Sequence, residues 1–484
     1  MALVNRVLDD AACTSLDEHL SRGGGEGLKA ARRLGGPAVV EEIEASGLRG
    51  RGGAGFPTGT KWRTVTENRV PGRPLAVVVN AAEGEPGSFK DRAILRRNPY
   101  RVVEGALCAA VAVGADEVVV ATKAAFATEV EALRRAMSEV EAAGWLSDVA
   151  PDGDVALRLV TGPSAYLFGE ETGLLEVVAG RPPFPRVAPP FRRGIDADDG
   201  SGAEAHLTGP NEPGEGEPVL VNNVETMAHA AMILGRGADW FRELGTPESP
   251  GTVVVTISGD VDHAGVGEVP MGTPLSEAIS AIGGGPREGR SFVAALSGVA
   301  NPFLPADRFD TPLTYEDMVA AGTGIGAAGF LLFDESADLV AVAQGVSRFL
   351  SVESCGQCTP CKQDGLAITG ILDEVRTGTA TDATMTTLGE KLATVTDGAR
   401  CFLANQHQAV VDSLLVTFPD AIRTDLDRAG ASEPVQIAAI ADIVEGKVVL
   451  DPSQADKQPD WTHDPVDSGR SPADRIDTLA AAPR

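Results

Sequence analysis

Leu75-Ala-Val-Val-Val-Asn-Ala-Ala-Glu-Gly-Glu-Pro-Gly87 changes character partway along. A continuous aliphatic run gives way, from Asn80, to an acidic loop punctuated by glycine and proline. A run this short and uniformly apolar, bounded by Pro74 and Asn80, reads as a strand over 75–79 buried on both faces. Residues 101–113 then recur at helical spacing, 117–121 form a β-branched run, 128–143 carry charge on one helical face, and 155–160 read as another strand. Strand, helix, strand, helix, strand is the pattern of an α/β fold with a parallel sheet. In such a sheet the loop after the first strand, 80–87, lies at the carboxyl edge where ligands bind.

Upstream, residues 37–45 alternate apolar and acidic positions at helical spacing, and Gly47 suits a C-cap. A glycine-rich loop, 50–59, follows. Downstream, 181–218 is a stretch rich in Pro, Gly and acids that is too long for an ordinary connection, and 222–234 reads as a helix. The character changes at Gly251. Strands over 252–258, 292–297 and 329–333 with a short helix at 274–282 predict a small, separate α+β domain. From 337 to about 415 the pattern is helical, interrupted by a cysteine motif. The polar residues from Asp451 onward predict a surface-wrapping or mobile tail.

The chain has 484 residues, enough for about three domains, and a net charge of −28. So acidic a surface repels nucleic acid and anionic membranes and suits docking to a basic partner. No window of 18 apolar residues is present, so no direct membrane insertion is expected. The first ten residues lack an apolar signal region, which predicts a cytoplasmic protein, free or peripheral to a membrane complex.

Of six cysteines, Cys355, Cys358 and Cys361 form C-x2-C-x2-C, and Cys401 follows after 39 further residues. Three thiolates on a tight loop can hold three irons of a cubane, and a distant fourth can close it. Zinc is the competing reading, but zinc ribbons pair two C-x2-C knuckles and here the second is missing. Gly356 lets the backbone approach the sulfurs, and Thr359 can donate to them. Cys13 and Cys108 are left over; Cys108 sits in the apolar helix and reads as a small buried hydrophobe.

Gly50-Arg-Gly-Gly-Ala-Gly55 matches G-x-G-x-x-G but follows a helix-like segment rather than a strand, so it is a weak dinucleotide fingerprint. The bland alternative is a flexible surface loop. Against it, the glycines leave backbone N–H groups free to wrap a phosphate. Arg51 and Lys61 add charge, and Phe56 and Trp62 add flat surfaces. Gly169-Glu-Glu-Thr172 after Tyr166, and Asn222-Asn-Val-Glu-Thr226, are further polar loops. Together they imply a planar, phosphate-bearing cofactor.

Gly47-Leu-Arg-Gly-Arg-Gly-Gly-Ala-Gly-Phe-Pro-Thr-Gly-Thr-Lys-Trp62 resembles the glycine loop of the flavoprotein subunit of respiratory complex I. Glu83–Arg92, Tyr166–Thr172, Val221–Thr226 and Glu353–Cys361 match the same family in the same order. That family also supplies diaphorase subunits of NAD-linked hydrogenases and formate dehydrogenases. The resemblance spans about residues 15–420. It implies a Rossmann-like FMN-binding domain (49–245) after an N-terminal helical segment (1–48), a ubiquitin-like β-grasp (SLBB) domain (250–335), a helical bundle carrying a [4Fe–4S] cluster (336–450) and a polar tail (451–484). It implies that Gly50, Arg51, Gly52, Gly53, Gly55, Lys61, Asn80, Tyr166, Gly169, Asn222 and Asn223 surround FMN, with Glu83 and Thr226 also among the cofactor-binding residues. Glu85, Glu170 and Glu171 would lie where NAD(H) stacks, with Phe56 and Phe191 as aromatic surfaces, and Cys355, Cys358, Cys361 and Cys401 would ligate the cluster. Hydride would pass from NADH to FMN, then single electrons to the cluster and to a ferredoxin-like or other Fe–S partner subunit, with no catalytic acid or base.

The sequence departs from the family at several points. Ala82 stands where an Asp is usual, Ala188 where a Lys is usual, and the stretch 192–218 is longer and more acidic. These changes point to a divergent paralogue. The alternative they leave open is an electron carrier that keeps flavin and cluster but has a weak or lost NADH site.

Overall fold

The structure, a computed structural model, describes residues 3–69, 72–151, 153–187, 218–427 and 430–458. Strands β1 (Ala76–Ala81), β2 (Glu117–Lys123), β3 (Ala156–Gly162) and β4 (Val219–Asn223) form one sheet in the order β3-β2-β1-β4. Every neighbouring pair in it is parallel. Val77, Val78 and Val79 are fully buried, as a parallel strand covered on both faces requires. The chain moves outward from β1 through β2 to β3 and then returns to set β4 on the other side of β1. That reversal opens a crevice at the carboxyl ends of β1 and β4. The register puts Asn80 beside Asn223 and Val79 beside Asn222 there.

The helix expected over 222–234 is corrected by this sheet. Asn222 and Asn223 end β4, and the helix begins at Val224. The Asn223 side chain accepts the Glu225 N–H and so caps it. Val219-Leu-Val is too short a run to announce a strand by periodicity. The helix Pro99–Val113 is better marked. Pro99 occupies its first position, Asn98 caps Arg101, and Gly114 ends it at φ 68°, where glycine has no Cβ to clash.

The N-terminal residues do not form a unit of their own. Val7, Leu16, Leu28, Val39 and Ile43 share one core with Val77, Val79 and Leu107. The buried Glu268 carboxylate accepts the N–H groups of Arg6, Val7 and Leu8, which ties this segment to the next sheet.

That sheet contains β5 (Thr252–Gly259), β6 (Gly265–Pro270), β7 (Phe292–Ser297), β8 (Leu304–Pro305) and β9 (Gly329–Asp334), in the order β6-β5-β9-β7-β8. Only β5 and β9 pair in parallel. The helix Leu275–Gly283 buries Leu275, Ala278, Ile279 and Ile282 against it, the arrangement expected of a β-grasp. Five helices follow: Leu339–Glu353, Thr359–Arg376, Asp382–Thr394, Leu403–Thr417 and Pro419–Leu426. They enclose a third core around Val346, Leu350, Ile368, Leu372 and Val410.

The bundle does not run on to 450. Strands β10 (Ile440–Val444) and β11 (Lys447–Leu450) make an antiparallel hairpin. Glu445 and Gly446 both have positive φ, 49° and 74°, the backbone of a tight two-residue hairpin turn. After it, Ser453–Asp456 forms a helical turn.

Candidate functional site

At the crevice between β1 and β4, the glycine loop is held from two sides. The Gly50 N–H donates to the Phe56 carbonyl, closing the loop on itself. The Tyr315 hydroxyl, from the β-grasp domain, donates to the Gly50 carbonyl at 2.8 Å. A Cβ on Gly55 would lie 2.4 Å from the Tyr315 ring, so only glycine fits there. Gly52 approaches Asn223, where an added Cβ would come within 3.2 Å of its side chain. Phe56 is 53% exposed and presents a free face. Thr58 is buried just after the loop, and its hydroxyl has no partner among the described residues.

The two cations of this region have different fates. Arg51 is 2% exposed. Its guanidinium donates to the Thr252, Pro250 and Arg49 carbonyls and to the Tyr315 hydroxyl. This corrects the expectation that Arg51 offers charge to a phosphate. Its contribution to the loop is its backbone N–H, which donates to Thr226 Oγ1 at 2.9 Å. Lys61 is part-exposed and pairs with Glu171, which leaves a cation at the crevice.

Several expected site residues are held by a buried network. The Lys90 ammonium lies 2.7 Å from Asp91, 3.0 Å from Glu225 and 3.1 Å from Asn223 Oδ1. Burial alone would raise the Glu225 carboxyl, but Lys90, His229 and Arg51 together outweigh it and take the pKa to about 2. Burial pushes Asp91 up to about 6 against the pull of Lys90. Asn223 Nδ2 donates to Asp91 at 2.6 Å, and Asn222 Oδ1 accepts the Trp62 indole N–H at 2.8 Å. Glu83 accepts from Ser88, Arg92 and the Asp91 N–H, so its carboxylate shapes the acidic loop. Sequence reasoning does not single out Lys90, Asp91 or Tyr315 as site residues. It marks Trp62, but as a flat surface rather than a hydrogen-bond donor.

One turn joins this crevice to the cysteines. Tyr166–Gly169 is a single 3-10 turn. At its end the Gly169 carbonyl accepts from Asn80 Nδ2 at 2.8 Å. The Tyr166 hydroxyl meets Glu85 at 2.5 Å and Gln406 of the bundle, and Glu85 also accepts the Val299 N–H at 2.6 Å. Burial raises the Glu85 carboxyl. Glu170 caps the next helix by accepting the Thr172 and Gly173 N–H groups. In the same turn, Leu167 lines a hollow with Cys355, Cys358, Cys361 and Cys401.

The thiols surround that hollow; among the described residues no three side chains converge on one point as ligands of a single ion would. Cys358 occupies the N-cap position of the Thr359–Arg376 helix, whose positive end suits thiolates. Gly356 takes φ 74°, a turn that favours glycine. Gln357 Nε2 reaches Cys355 at 3.3 Å, and the Ser354 hydroxyl lies 3.6 Å from Cys361. These donors stand beside the one expected at Thr359. Burial pushes Cys361 to about 11 and Cys401 to about 12, so these two thiols would give up their protons on binding iron. An all-thiol set around an apolar hollow fits an iron–sulfur cluster. The crevice, with its glycine loop, unpartnered Thr58 hydroxyl and Lys61, fits a phosphate-bearing flavin. Ala82, at 1% exposure, closes the end of β1. Phe191 and Ala188 lie outside the described residues.

Comparison with known proteins gives three family matches. Residues 43–232 match the Nuo51 FMN-binding domain, 254–298 the SLBB domain, and 341–425 the NADH-ubiquinone oxidoreductase-F iron-sulfur binding region. The F subunit of NADH-quinone oxidoreductase in Rickettsia massiliae (strain Mtu5) is 38% identical over 346 residues, covering 71% of this chain and 78% of its own. Its counterpart in Rickettsia typhi (strain ATCC VR-144 / Wilmington) is 34% identical over 396 residues, covering 81% and 90%. Among solved structures, an NAD+-reducing [NiFe]-hydrogenase in the H2-reduced state aligns with TM-score 0.71 and 31% identity. That alignment covers 86% of this chain and 67% of the hydrogenase chain.

Proposed function

The chain belongs to the family of the NADH-quinone oxidoreductase F subunits, and from that premise we propose that it is the NADH-oxidising flavoprotein module of a multi-subunit redox enzyme. Bound FMN would take a hydride from NADH and release electrons singly to the [4Fe–4S] cluster. The chain's own residues bind and orient. Backbone N–H groups of the 50–55 loop and Lys61 meet the flavin phosphate, while Asn80, Asn222 and Gly169 frame the flavin from the strand ends. Phe56, Glu85, Glu170 and Glu171 face the nucleotide. Cys355, Cys358, Cys361 and Cys401 hold the cluster.

One observation carries this reading: the Tyr166–Gly169 turn touches Asn80 in the crevice and lines the cysteine hollow with Leu167. Two redox groups separated by one turn suit electron transfer between them. Beyond the cluster, Phe402 follows Cys401 and is 62% exposed, which supports an exit to an Fe–S partner protein there. No helix among the described residues is long and apolar enough to cross a membrane. We place the protein in the cytoplasm, peripheral to any membrane complex it serves.

Anaerobic titration with NADH tests the reading. Bleaching of the flavin absorbance followed by a reduced-cluster EPR signal is expected. A flavin that NADH leaves oxidised, but that a chemical reductant bleaches, selects the electron-carrier alternative left open by Ala82.

A further inference from the structure

A second cavity, of about 410 Å³, lies on the other flank of the acidic loop. Of the residues placed around flavin and nucleotide, only Tyr166 lines it. Its floor is Lys123 at the carboxyl end of β2, with Gly84 above and Ser164 beyond β3. Phe126, Phe349 and Tyr166 supply aromatic walls. The roof is 439–441 and 451–454, the hairpin and the turn after it. Lys457 latches this roof by donating to the Ser164 carbonyl and the Glu353 carboxylate. All of the roof lies beyond residue 425, where the last family match ends.

The charged groups around the cavity are hydrogen-bonded within the protein with one exception among the described residues. Arg92 is bound to Glu83 and to the Ala441 carbonyl. Glu353 holds Lys457 and the Tyr166 N–H. Asp451 accepts from Ser453. Lys123 is 4% exposed, yet its ammonium has no hydrogen bond or ion pair among the described residues; the Phe126 ring centroid is 5.8 Å away, and the Glu353 and Asp451 carboxylates act on it only from beyond ion-pair distance. The ammonium packs so close to Gly84 that a Cβ there would come within 2.5 Å of it. A buried cation without an ion-pair or hydrogen-bond partner is costly, and a concave cavity of this size with aromatic walls and convergent polar groups is a common form of small-molecule site.

We propose that this cavity binds a small, flat organic carboxylate, its carboxylate on Lys123 and its body between Phe126 and Phe349. Burial, offset only in part by Glu353 and Asp451, holds the Lys123 pKa down to about 8, a direction that a bound anion would reverse.

Benzoate is the probe, with benzylamine as the control of opposite charge, and the readout is calorimetric binding to the flavin- and cluster-loaded protein. Saturable benzoate binding, no benzylamine binding, and an affinity about 10- to 150-fold weaker in Lys123→Met are expected. Because Met removes an unpaired buried charge, that variant should keep its flavin and iron and melt no lower than the wild type. Equal benzoate affinity in the two proteins overturns the proposal. So does the absence of saturable binding to wild type, or a clear loss of stability in Lys123→Met, which would show the ammonium already satisfied. The readout is binding alone, so it stands or falls separately from NADH oxidation.

Discussion

The crevice at β1 and β4 and the hollow between the cysteines are built on opposite plans. In the crevice, the side chains that set its shape are already satisfied by protein. Asn222 holds Trp62, Asn223 holds Asp91, and Arg51 holds carbonyls of the neighbouring domain. In the hollow the thiols have weak partners, among them Gln357, Ser354 and the Leu403 N–H. The crevice therefore has its shape before a ligand arrives, whereas the hollow is completed by its ligand. Loss of the cluster should cost the bundle far more than loss of flavin costs the parallel sheet.

The largest effect expected is at the hollow. Cys361→Ser should bring iron content and the reduced-cluster EPR signal to background and unfold the Leu339–Thr417 helices at much lower denaturant, since metal binding there is part of folding. Flavin should be retained. Cys13→Ala and Cys108→Ala, which alter buried cysteines away from the hollow, should leave iron unchanged. Equal loss of flavin and iron in Cys361→Ser would break the contrast.

Acid should sharpen it. His407 is fully buried in the bundle, with Ser347 3.2 Å from its Nδ1, and burial holds its pKa down to about 3 against an ordinary 6.5. The folded state then binds fewer protons than the unfolded chain, so its contribution is complete above pH 6.5 and is lost as pH falls toward 3. The whole span is worth at most about 5 kcal/mol. Urea midpoints measured at pH 7 and pH 5 should differ less in His407→Leu than in wild type. An unchanged difference would show that other groups set the acid limit.

Within the crevice, Lys90→Met should cost about 3–5 kcal/mol, because Asp91 and Glu225 stay buried without their cation. Flavin content should fall with it, as Asn223 and the end of β4 lose their support. Thermal melts and flavin-to-protein ratios check both halves.

The sequence displayed these two regions unequally, for the same physical reason. C-x2-C-x2-C names its chemistry because thiols so spaced have few other uses, and the structure gathers Cys401 with them across 39 intervening residues. The valine run of β1 was equally plain. Arg51 misled because a guanidinium beside glycines looks like a phosphate ligand, while the carbonyls of Pro250 and Thr252 that claim it lie about two hundred residues away. The Lys90–Glu225 pair and Tyr315 were invisible for that reason: they are long-range contacts between unremarkable local patterns. The β10–β11 hairpin lies beyond the helical pattern that ends near 415, in a stretch the resemblance assigned to the bundle.

The smallest change in stability is expected at Lys61, and it divides the roles of the two cations. Lys61 and Glu171 have side chains 28% and 37% exposed, and so exposed an ion pair contributes about 0–1 kcal/mol to the fold. Arg51→Lys, by contrast, strands buried carbonyls of Pro250 and Thr252, at about 1–3 kcal/mol for each group left unmade. Lys61→Ala should then melt close to wild type yet lose flavin on dilution, with affinity about 10- to 150-fold weaker if its ammonium meets the phosphate. Arg51→Lys should melt lower while the flavin that remains bound in folded protein keeps near-normal affinity, because the loop's N–H groups and not the guanidinium contact it. If Lys61→Ala binds FMN as wild type does, the phosphate is held by backbone alone, and Glu171 rather than the cofactor is the reason for a lysine there.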